Sequence, residues 1–150
     1  MVVDTVRFGE IEIEPSRVLT LDEGLLGFPE QRRYCLLEHA PGSPVQWLQS
    51  VDEPGLAFLV VNPHDFFVDY ELELSDELAT AMELERPEEA AVLVLVSVQE
   101  SRRLTANLVG PVVINTRTGR GRQLVLDSDC YTTRHLLGVA APQACACSAA

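Results

Sequence analysis

The sequence predicts a mainly β protein: a small antiparallel β-barrel-like single domain with one or two short helices. Three observations predict it. Seven to ten short apolar or alternating segments follow one another, separated by turns rich in Gly, Pro and Asn. The 150 residues suffice for one core but are few for two. No apolar run reaches the roughly 18 residues of a membrane span. Many short strands with few helices form a sheet that curls or closes.

The N-terminal part of the chain is predicted to begin with a hairpin. Between residues 5 and 14, apolar residues alternate on both sides of Gly9, which predicts two short strands around a turn. A third strand is predicted at 18–21. Residues 24–29 contain two glycines and a proline, so we expect a bent loop or a single helical turn there, with its three large apolar side chains packed inward.

The middle of the chain carries clear strand patterns. A strand pair is predicted at 33–38 and 45–51, and a continuous apolar strand, buried on both faces, at 56–61 before Asn62-Pro63. Residues 68–74 alternate between apolar and acidic side chains, the pattern of a half-buried strand. Ser75 is then expected to cap a short helix whose first turn is acidic.

The C-terminal part continues the series of strands. They are predicted at 91–98, 105–109, 112–116 and 123–126, with an Arg/Gly-rich turn at 117–122. Asn107 and Asn115 flank the Gly110-Pro111 break, where their side chains are expected to bind exposed backbone groups. A short helix is predicted over 128–137. We assign the folded domain to residues 1–137 and expect 138–150, Ala-rich with Cys145 and Cys147, to be a disordered tail.

Acidic residues are concentrated in one segment. Residues 65–89, here called the acidic segment, hold ten of the 23 acidic residues and one base, Arg86, in a chain of formal net charge −12. Such a chain lacks the basic footprint of a nucleic-acid binder, and the N-terminus does not read as a signal peptide. We therefore expect a cytoplasmic protein that contacts neither nucleic acid nor membrane. The acidic segment either meets a basic partner or is a solvated face that keeps the protein soluble.

The sequence offers little for an active site. The three histidines stand in no metal-ligand spacing, and all eleven bases are arginine, which excludes Schiff-base chemistry. Two pairs remain as the basis of an alternative, a small acidic β-barrel enzyme or ligand-binding domain. They are His64 with Asp65, and Tyr131 with His135 at helical i, i+4 spacing. The favoured expectation is a protein without catalytic activity, metal or cofactor.

Several segments of the chain are too particular to be explained by a generic barrel. They are Gly24-Leu-Leu-Gly-Phe-Pro-Glu, Trp47-Leu-Gln-Ser, Leu56-Ala-Phe-Leu-Val-Val-Asn-Pro, Asp69-Tyr, Asn107-Leu-Val-Gly-Pro-Val-Val-Ile-Asn, and Tyr131 with Arg134-His135. In this order and spacing the chain resembles the FliW family, the flagellar assembly factors of bacteria, over about residues 6–137. Gly110 departs from the pattern, because the family's Asn-Leu-x-Ala-Pro stretch has alanine there.

The resemblance implies a cytosolic β-barrel-like protein that is not an enzyme. Members of the family bind CsrA, an RNA-binding translational repressor, and relieve its repression of flagellin translation. They also bind flagellin, so newly made flagellin draws the factor away from CsrA. This is partner exchange, governed by relative affinities and concentrations. The resemblance also implies that CsrA is engaged away from its RNA-contacting surface.

We expect the partner-binding surface to be bordered by residues next to the start of the acidic segment. Paired aromatics beside dense charge are common at interfaces. Packing of at least one of the two phenylalanines in the core remains an equal alternative. The acidic strand face would steer partners, and the groups beside it would set specificity. The expected partner-binding residues are Asn62, Phe66, Phe67, Asp69, Tyr70, Glu71 and Glu73.

Overall fold

The computed structural model describes residues 1–25, 27–38, 41–67, 70, 72, 74–98, 104–126 and 135–136. These residues form eleven short strands, one α-helix and three 3-10 turns. The helix is α1 (Asp76–Ala81), and the 3-10 turns are Pro15–Arg17, Pro63–Asp65 and Pro87–Glu89. The strands are β1 (Val2–Thr5), β2 (Gly9–Glu12), β3 (Leu19–Leu21), β4 (Arg33–Glu38), β5 (Val45–Ser50), β6 (Ala57–Val61), β7 (Ala90–Val98), β8 (Leu104–Ala106), β9 (Val112–Asn115), β10 (Arg120–Gln123) and β11 (His135–Leu136).

Seven of these strands close into a barrel, which confirms the predicted fold class. The ring runs β3–β4–β5–β6–β7–β9–β10 and returns to β3. Its neighbours are antiparallel except β10 and β3, which are parallel. Closure depends on the length of β7. The first part of β7 pairs with β9, and its last three residues pair with β8, which carries β11 outside the ring.

The barrel interior is filled by alternate residues of its strands, as the pleat of a β-strand requires. Tyr34 is fully buried there and tilts against Phe58. Leu25, from the loop after β3, is also buried in this cluster, while Phe28 remains 40% exposed and contacts Phe58 edge to face. The other buried members of the interior are Leu21, Leu48, Val60, Leu93, Val112 and Ile114.

Two smaller layers cover the outside of the barrel. The hairpin β1–β2 packs Val3 and Ile13 against Cys35 of β4. On the opposite strands, Phe67 and Tyr70 are buried against the outward-facing residues of β6, β7 and β8, together with Leu108. The chain around residue 70 is therefore a cover over the outer face of the barrel.

Two sequence predictions for the first half of the chain need correction. The hairpin begins earlier than predicted: β1 ends at Thr5, and Val6 is 79% exposed in the turn. The Thr5 hydroxyl accepts a hydrogen bond from the Phe8 amide and donates one to the Gly9 carbonyl, each at 2.8 Å, which closes the turn there. The burial of 56–61 is also incomplete, because the first residues of β6 remain half-buried.

The predicted turn at 117–122 is wrong in its second half, which belongs to β10. Gly121 lies within the barrel wall between β3 and β9. A Cβ atom at Gly121 would approach the Val113 carbonyl oxygen to 2.9 Å and Leu21 Cδ2 to 2.8 Å. Glycine serves close packing here, whereas the local pattern suggested a turn.

Two further predictions fall partly outside the described residues. For the strand at 68–74, the described residues Tyr70, Leu72 and Leu74 belong to no strand, since Tyr70 closes a turn onto the Phe67 carbonyl at 3.0 Å. The helix predicted over 128–137 is contradicted at its end, where β11 pairs with β8. Residues 127–134 and 137–150, including the tail cysteines, lie outside the described residues.

Candidate partner-binding surface

The turn after β6 places the first predicted site residue at the surface. Pro63 ends the strand, and Asn62 caps the 3-10 turn by accepting a hydrogen bond on Oδ1 from the His64 amide at 3.0 Å. Asn62 is exposed, whereas Pro63 is buried beneath it. The sequence interpretation of Asn62 as a residue that stops a strand is thereby confirmed.

His64 links this turn to Tyr70. Its Nε2 lies 3.0 Å from the Tyr70 carbonyl oxygen, which can only accept, so Nε2 carries the proton. The His64 ring also meets the Tyr70 ring edge to face, with centroids 5.9 Å apart. The Tyr70 hydroxyl donates to the buried carbonyl of Leu108 at 2.8 Å. These contacts hold the surface turn, here called the 62–70 turn, on the barrel.

The predicted site residues are divided between surface, core and undescribed positions. Asn62 is exposed and Phe66 is half-buried against the outer cluster. Phe67 and Tyr70 are buried, at 1% and 3% exposure. The open alternative, core packing of one phenylalanine, is therefore confirmed for Phe67. The predicted binding residues Asp69, Glu71 and Glu73 lie outside the described residues.

Two clefts flank the 62–70 turn. The larger one, here called the barrel cleft, has a volume of about 680 Å³ and opens at one end of the barrel. Asn62, Asp65 and Arg17 stand at its rim, and the inward-facing Leu36 and Leu93 line its floor. Both its volume and its mixed lining are those of a binding cleft.

The second cleft, here called the helix groove, lies on the other side of the turn. It has a volume of about 490 Å³, between α1 and the outer face of β7. His64, Glu85 and Arg86 contribute polar groups to it. Its apolar lining consists of Leu72, Leu74, Ala79, Leu84, Ala90 and Val92.

The alternative catalytic pair of His64 and Asp65 is divided between the two clefts. The His64 ring faces the Tyr70 carbonyl and lines the helix groove, whereas Asp65 lines the barrel cleft. His135 begins β11, and the i, i+4 pairing with Tyr131 required a helix there; Tyr131 itself lies outside the described residues. Within the described ranges, no three His, Cys, Asp or Glu side chains group closely enough to hold a metal ion.

The acidic segment is attached to the barrel by residues that the sequence did not single out for this purpose. Ser75 caps α1 as predicted, its hydroxyl accepting from the Leu78 amide at 3.1 Å. At the other end of the helix, the buried Asn115 donates to the carbonyls of Met82 at 2.9 Å and Glu83 at 3.2 Å. Asn115 therefore binds the helix end, not the Gly110-Pro111 break, because the fold brings the residues after α1 to the last residue of β9.

An arginine of the β9–β10 turn completes this attachment. Arg117 donates to Glu89 Oε2 at 2.7 Å and to the Glu83 carbonyl at 2.6 Å. The hydrogen bond from Arg117 holds the pKa of Glu89 below its ordinary value, since it favours the charged carboxylate. One of the ten carboxylates of the acidic segment is thus neutralised by the barrel itself.

Asn107 behaves as the sequence predicts. Its Oδ1 accepts from the amides of Val109 at 3.1 Å and Gly110 at 2.9 Å, which supports the break before β9. A Cβ atom at Gly110 would lie 2.9 Å from Asn107 Nδ2 and 3.0 Å from Gln123 Nε2. Glycine is therefore the residue that leaves both amide side chains in place.

The fold and the surface define a small closed β-barrel protein that carries two open clefts and an acidic helix on its outer wall. In the part of the chain that the structure describes, no helix has the length and apolarity needed to cross a membrane. The sequence profile of the FliW protein family matches residues 2–137. The chain belongs to this family.

Individual relatives and a solved structure agree with this assignment. The flagellar assembly factor FliW of Natranaerobius thermophilus is 41% identical over 139 residues, covering 91% of this chain and 92% of that protein. FliW of Geotalea uraniireducens is 42% identical over 136 residues, covering 90% and 83%. A crystal structure of the flagellar assembly factor FliW matches with a TM-score of 0.83 at 31% identity, covering 93% of this chain and 98% of that one.

Proposed function

We propose that this protein is a cytoplasmic, non-enzymatic flagellar assembly factor that binds the translational repressor CsrA and flagellin in turn. Binding of CsrA relieves repression of flagellin translation, and accumulating flagellin removes the factor from CsrA. The observation that carries the proposal is family membership across residues 2–137, supported by relatives named as flagellar assembly factors. No catalytic step is required, because exchange between two partners needs only their relative affinities and concentrations.

The 62–70 turn and the carboxylates that follow it in sequence are the surface we propose for partner contact. Asn62 is exposed, and Phe66 is half-buried. Phe67 and Tyr70 would act as positioning residues, since both are buried beneath the turn. Asp69, Glu71 and Glu73 would supply charge beside these groups. A hydrophobic contact flanked by charge suits a protein partner that must bind reversibly.

The decisive experiment measures binding of the purified chain to purified CsrA and purified flagellin by isothermal titration calorimetry. We expect both to bind, and flagellin to displace CsrA from a preformed complex in a concentration-dependent manner. Failure of both partners to bind a correctly folded chain would overturn the proposal. Binding of both without displacement would overturn the exchange mechanism and leave two independent interactions.

Variants then test the proposed surface. Asn62→Ala with Phe66→Ala should weaken binding of at least one partner by about tenfold or more, as expected when an interface anchor is lost. Val125→Ala serves as the control, since Val125 is 67% exposed and lies outside the 62–70 turn. Equal affinities for the double variant and the control would place the interface elsewhere.

A further inference from the structure

The helix groove combines an apolar lining with three ionisable residues, His64, Glu85 and Arg86, and lies beside α1, whose first turn is acidic. Its floor is formed by aliphatic side chains from three separate stretches, of which Leu72, Leu74 and Val92 are half-buried. The groove lies on the outer wall of the barrel, beside α1, so a partner can reach it without entering the barrel. Its volume of about 490 Å³ lies within the range of well-formed binding sites.

The chain segment that forms one side of the groove is mostly acidic. Residues 75–90 contain six acidic residues and one base, Arg86, which lines the groove beside Glu85. Glu89 is held by Arg117. The other five carboxylates make no ion pair within 4.0 Å among the described residues, and all five are exposed. They are Asp76, Glu77, Glu83, Glu85 and Glu88.

This combination restricts the chemistry of an occupant. A nucleic acid would be repelled by the carboxylates. A small polyamine would satisfy the charge but leave the aliphatic floor exposed to water. An amphipathic helix with leucine-like residues on one face and lysine or arginine on the other satisfies both, since the helix-in-groove mode places apolar anchors at i, i+3 and i+4.

We propose that the helix groove binds a basic amphipathic helix of a protein partner. The apolar face of that helix would contact Leu72, Leu74 and Val92, and its cations would face Glu85 and the exposed carboxylates of α1. The proposal does not depend on whether CsrA or flagellin supplies the segment. It can stand or fall separately from the partner-exchange function, because its test uses neither protein.

The test uses the full chain and a fluorescein-labelled peptide of leucine and lysine, with leucines at helical spacing on one face and lysines on the other. Binding is measured by fluorescence anisotropy at low salt and at roughly 0.3 M salt. We expect saturable binding that weakens at the higher salt concentration. The same peptide with glutamate in place of lysine should not bind. Equal binding of the two peptides would overturn the charge complementarity.

A matched pair of variants locates the site. Ala79 lines the helix groove, whereas Ala81 is exposed on the same helix. Ala79→Gln should weaken peptide binding by about tenfold or more by filling the groove, and Ala81→Gln should leave it unchanged. Both variants keep a good helix former in α1. Equal affinities for the two variants would overturn the proposal.

A charge variant keeps the test decisive if Ala79→Gln disturbs folding. Glu85→Gln should weaken peptide binding by about two- to threefold, whereas Glu12→Gln on the hairpin should not. Spermidine is the competing probe. If spermidine displaces the peptide as efficiently as an unlabelled copy of the peptide does, the carboxylates attract any cation and the apolar groove plays no part.

Discussion

Asn115 and Met82 are 33 residues apart in sequence, yet the buried side-chain amide of Asn115 donates to the Met82 carbonyl at 2.9 Å. The same amide reaches the Glu83 carbonyl, while its oxygen accepts from the amides of Arg117 at 2.9 Å and Thr118 at 3.2 Å. One side chain therefore joins the end of α1 to the turn after β9. The position of the acidic segment on the barrel depends on this residue.

Replacement of Asn115 should destabilise the protein strongly. Asn115→Ala leaves carbonyls and amides in a buried site without partners, which predicts a loss of about 3 kcal/mol in the free energy of unfolding. Urea denaturation measures this loss. Asn62→Ala is the comparison, because exposed Asn62 caps only a 3-10 turn and should cost about 1 kcal/mol. Equal losses would contradict the role assigned to Asn115.

Two buried tyrosines should respond oppositely to loss of their hydroxyl groups. The Tyr70 hydroxyl donates to the Leu108 carbonyl, so Tyr70→Phe should cost about 1–2 kcal/mol of unfolding free energy. The Tyr34 hydroxyl is buried and has no hydrogen-bond partner among the residues that the structure describes, and burial raises the pKa of Tyr34 to about 12. Tyr34→Phe should be neutral or stabilise by up to about 1 kcal/mol. Thermal unfolding of both variants compares the two effects.

Gly121 should tolerate no larger side chain. A Cβ atom there would meet the Val113 carbonyl oxygen at 2.9 Å inside the barrel wall, so Gly121→Ala should cost about 1–3 kcal/mol. Gly55→Ala is the matched control, because its Cβ would meet nothing nearer than 3.9 Å. The control should be neutral or slightly stabilising. A stable Gly121→Ala protein in denaturant titration would contradict the close packing of β10 with β9.

The Glu89–Arg117 pair makes stability depend on pH in a defined direction. The folded pKa of Glu89 lies below its ordinary value of 4.5, chiefly because of the Arg117 hydrogen bond. The contribution of this ion pair to the stability of the folded protein is complete above the ordinary pKa of Glu89. It is lost as pH falls through the lower pKa of the folded state. Glu89→Gln should therefore be less stable than the unchanged protein at neutral pH, and the difference should shrink as pH falls through the folded pKa of Glu89. Urea midpoints at neutral pH and along an acid series measure the difference, and a gap that does not shrink in acid would argue against the pair.

The carboxylates in the first half of the acidic segment should control the rate of partner encounter. Reversal of Glu71, Glu73 and Glu77 to lysine should slow association with CsrA by up to about tenfold at low salt and flatten its salt dependence. Reversal of the exposed hairpin acids Glu10, Glu12 and Glu14 makes the same change in net charge elsewhere. Surface plasmon resonance measures both association rates. An unchanged rate for the first triple variant would identify the region as a solvated face.

Local sequence patterns predicted most of the strands because burial alternates with the pleat. Strands β4, β5 and β7 begin and end within one residue of their predicted ranges. Ser75 caps the start of α1, as predicted. Errors arose where a distant contact overrides the local signal. Gly121, which suggested a turn at 117–122, lies in β10 where the strand packs closely between β3 and β9. Tyr70 and Leu72, whose alternation suggested a strand, pack against the outer face of the barrel.

The candidate surface was predicted less completely than the fold. The sequence identified the 62–70 turn as a region of interest, since aromatics and carboxylates follow a strand end there. It left open which aromatics are buried, and the structure places Phe67 in the core with Phe66 half-exposed. The two clefts could not be predicted, because each is lined by residues from several strands and loops that meet only when the barrel closes.

Composition, alternation and ordered motifs are properties of neighbours along the chain, so they were sufficient to predict a mainly β protein, its family resemblance and the concentration of acidic residues in 65–89. The position of those acidic residues on the barrel depends on the tertiary fold. Closure of β7 onto β9 brings Asn115 and Arg117 beneath the end of α1, and these residues hold the acidic helix beside an apolar groove. Such contacts depend on ring closure between distant strands, which local patterns do not encode.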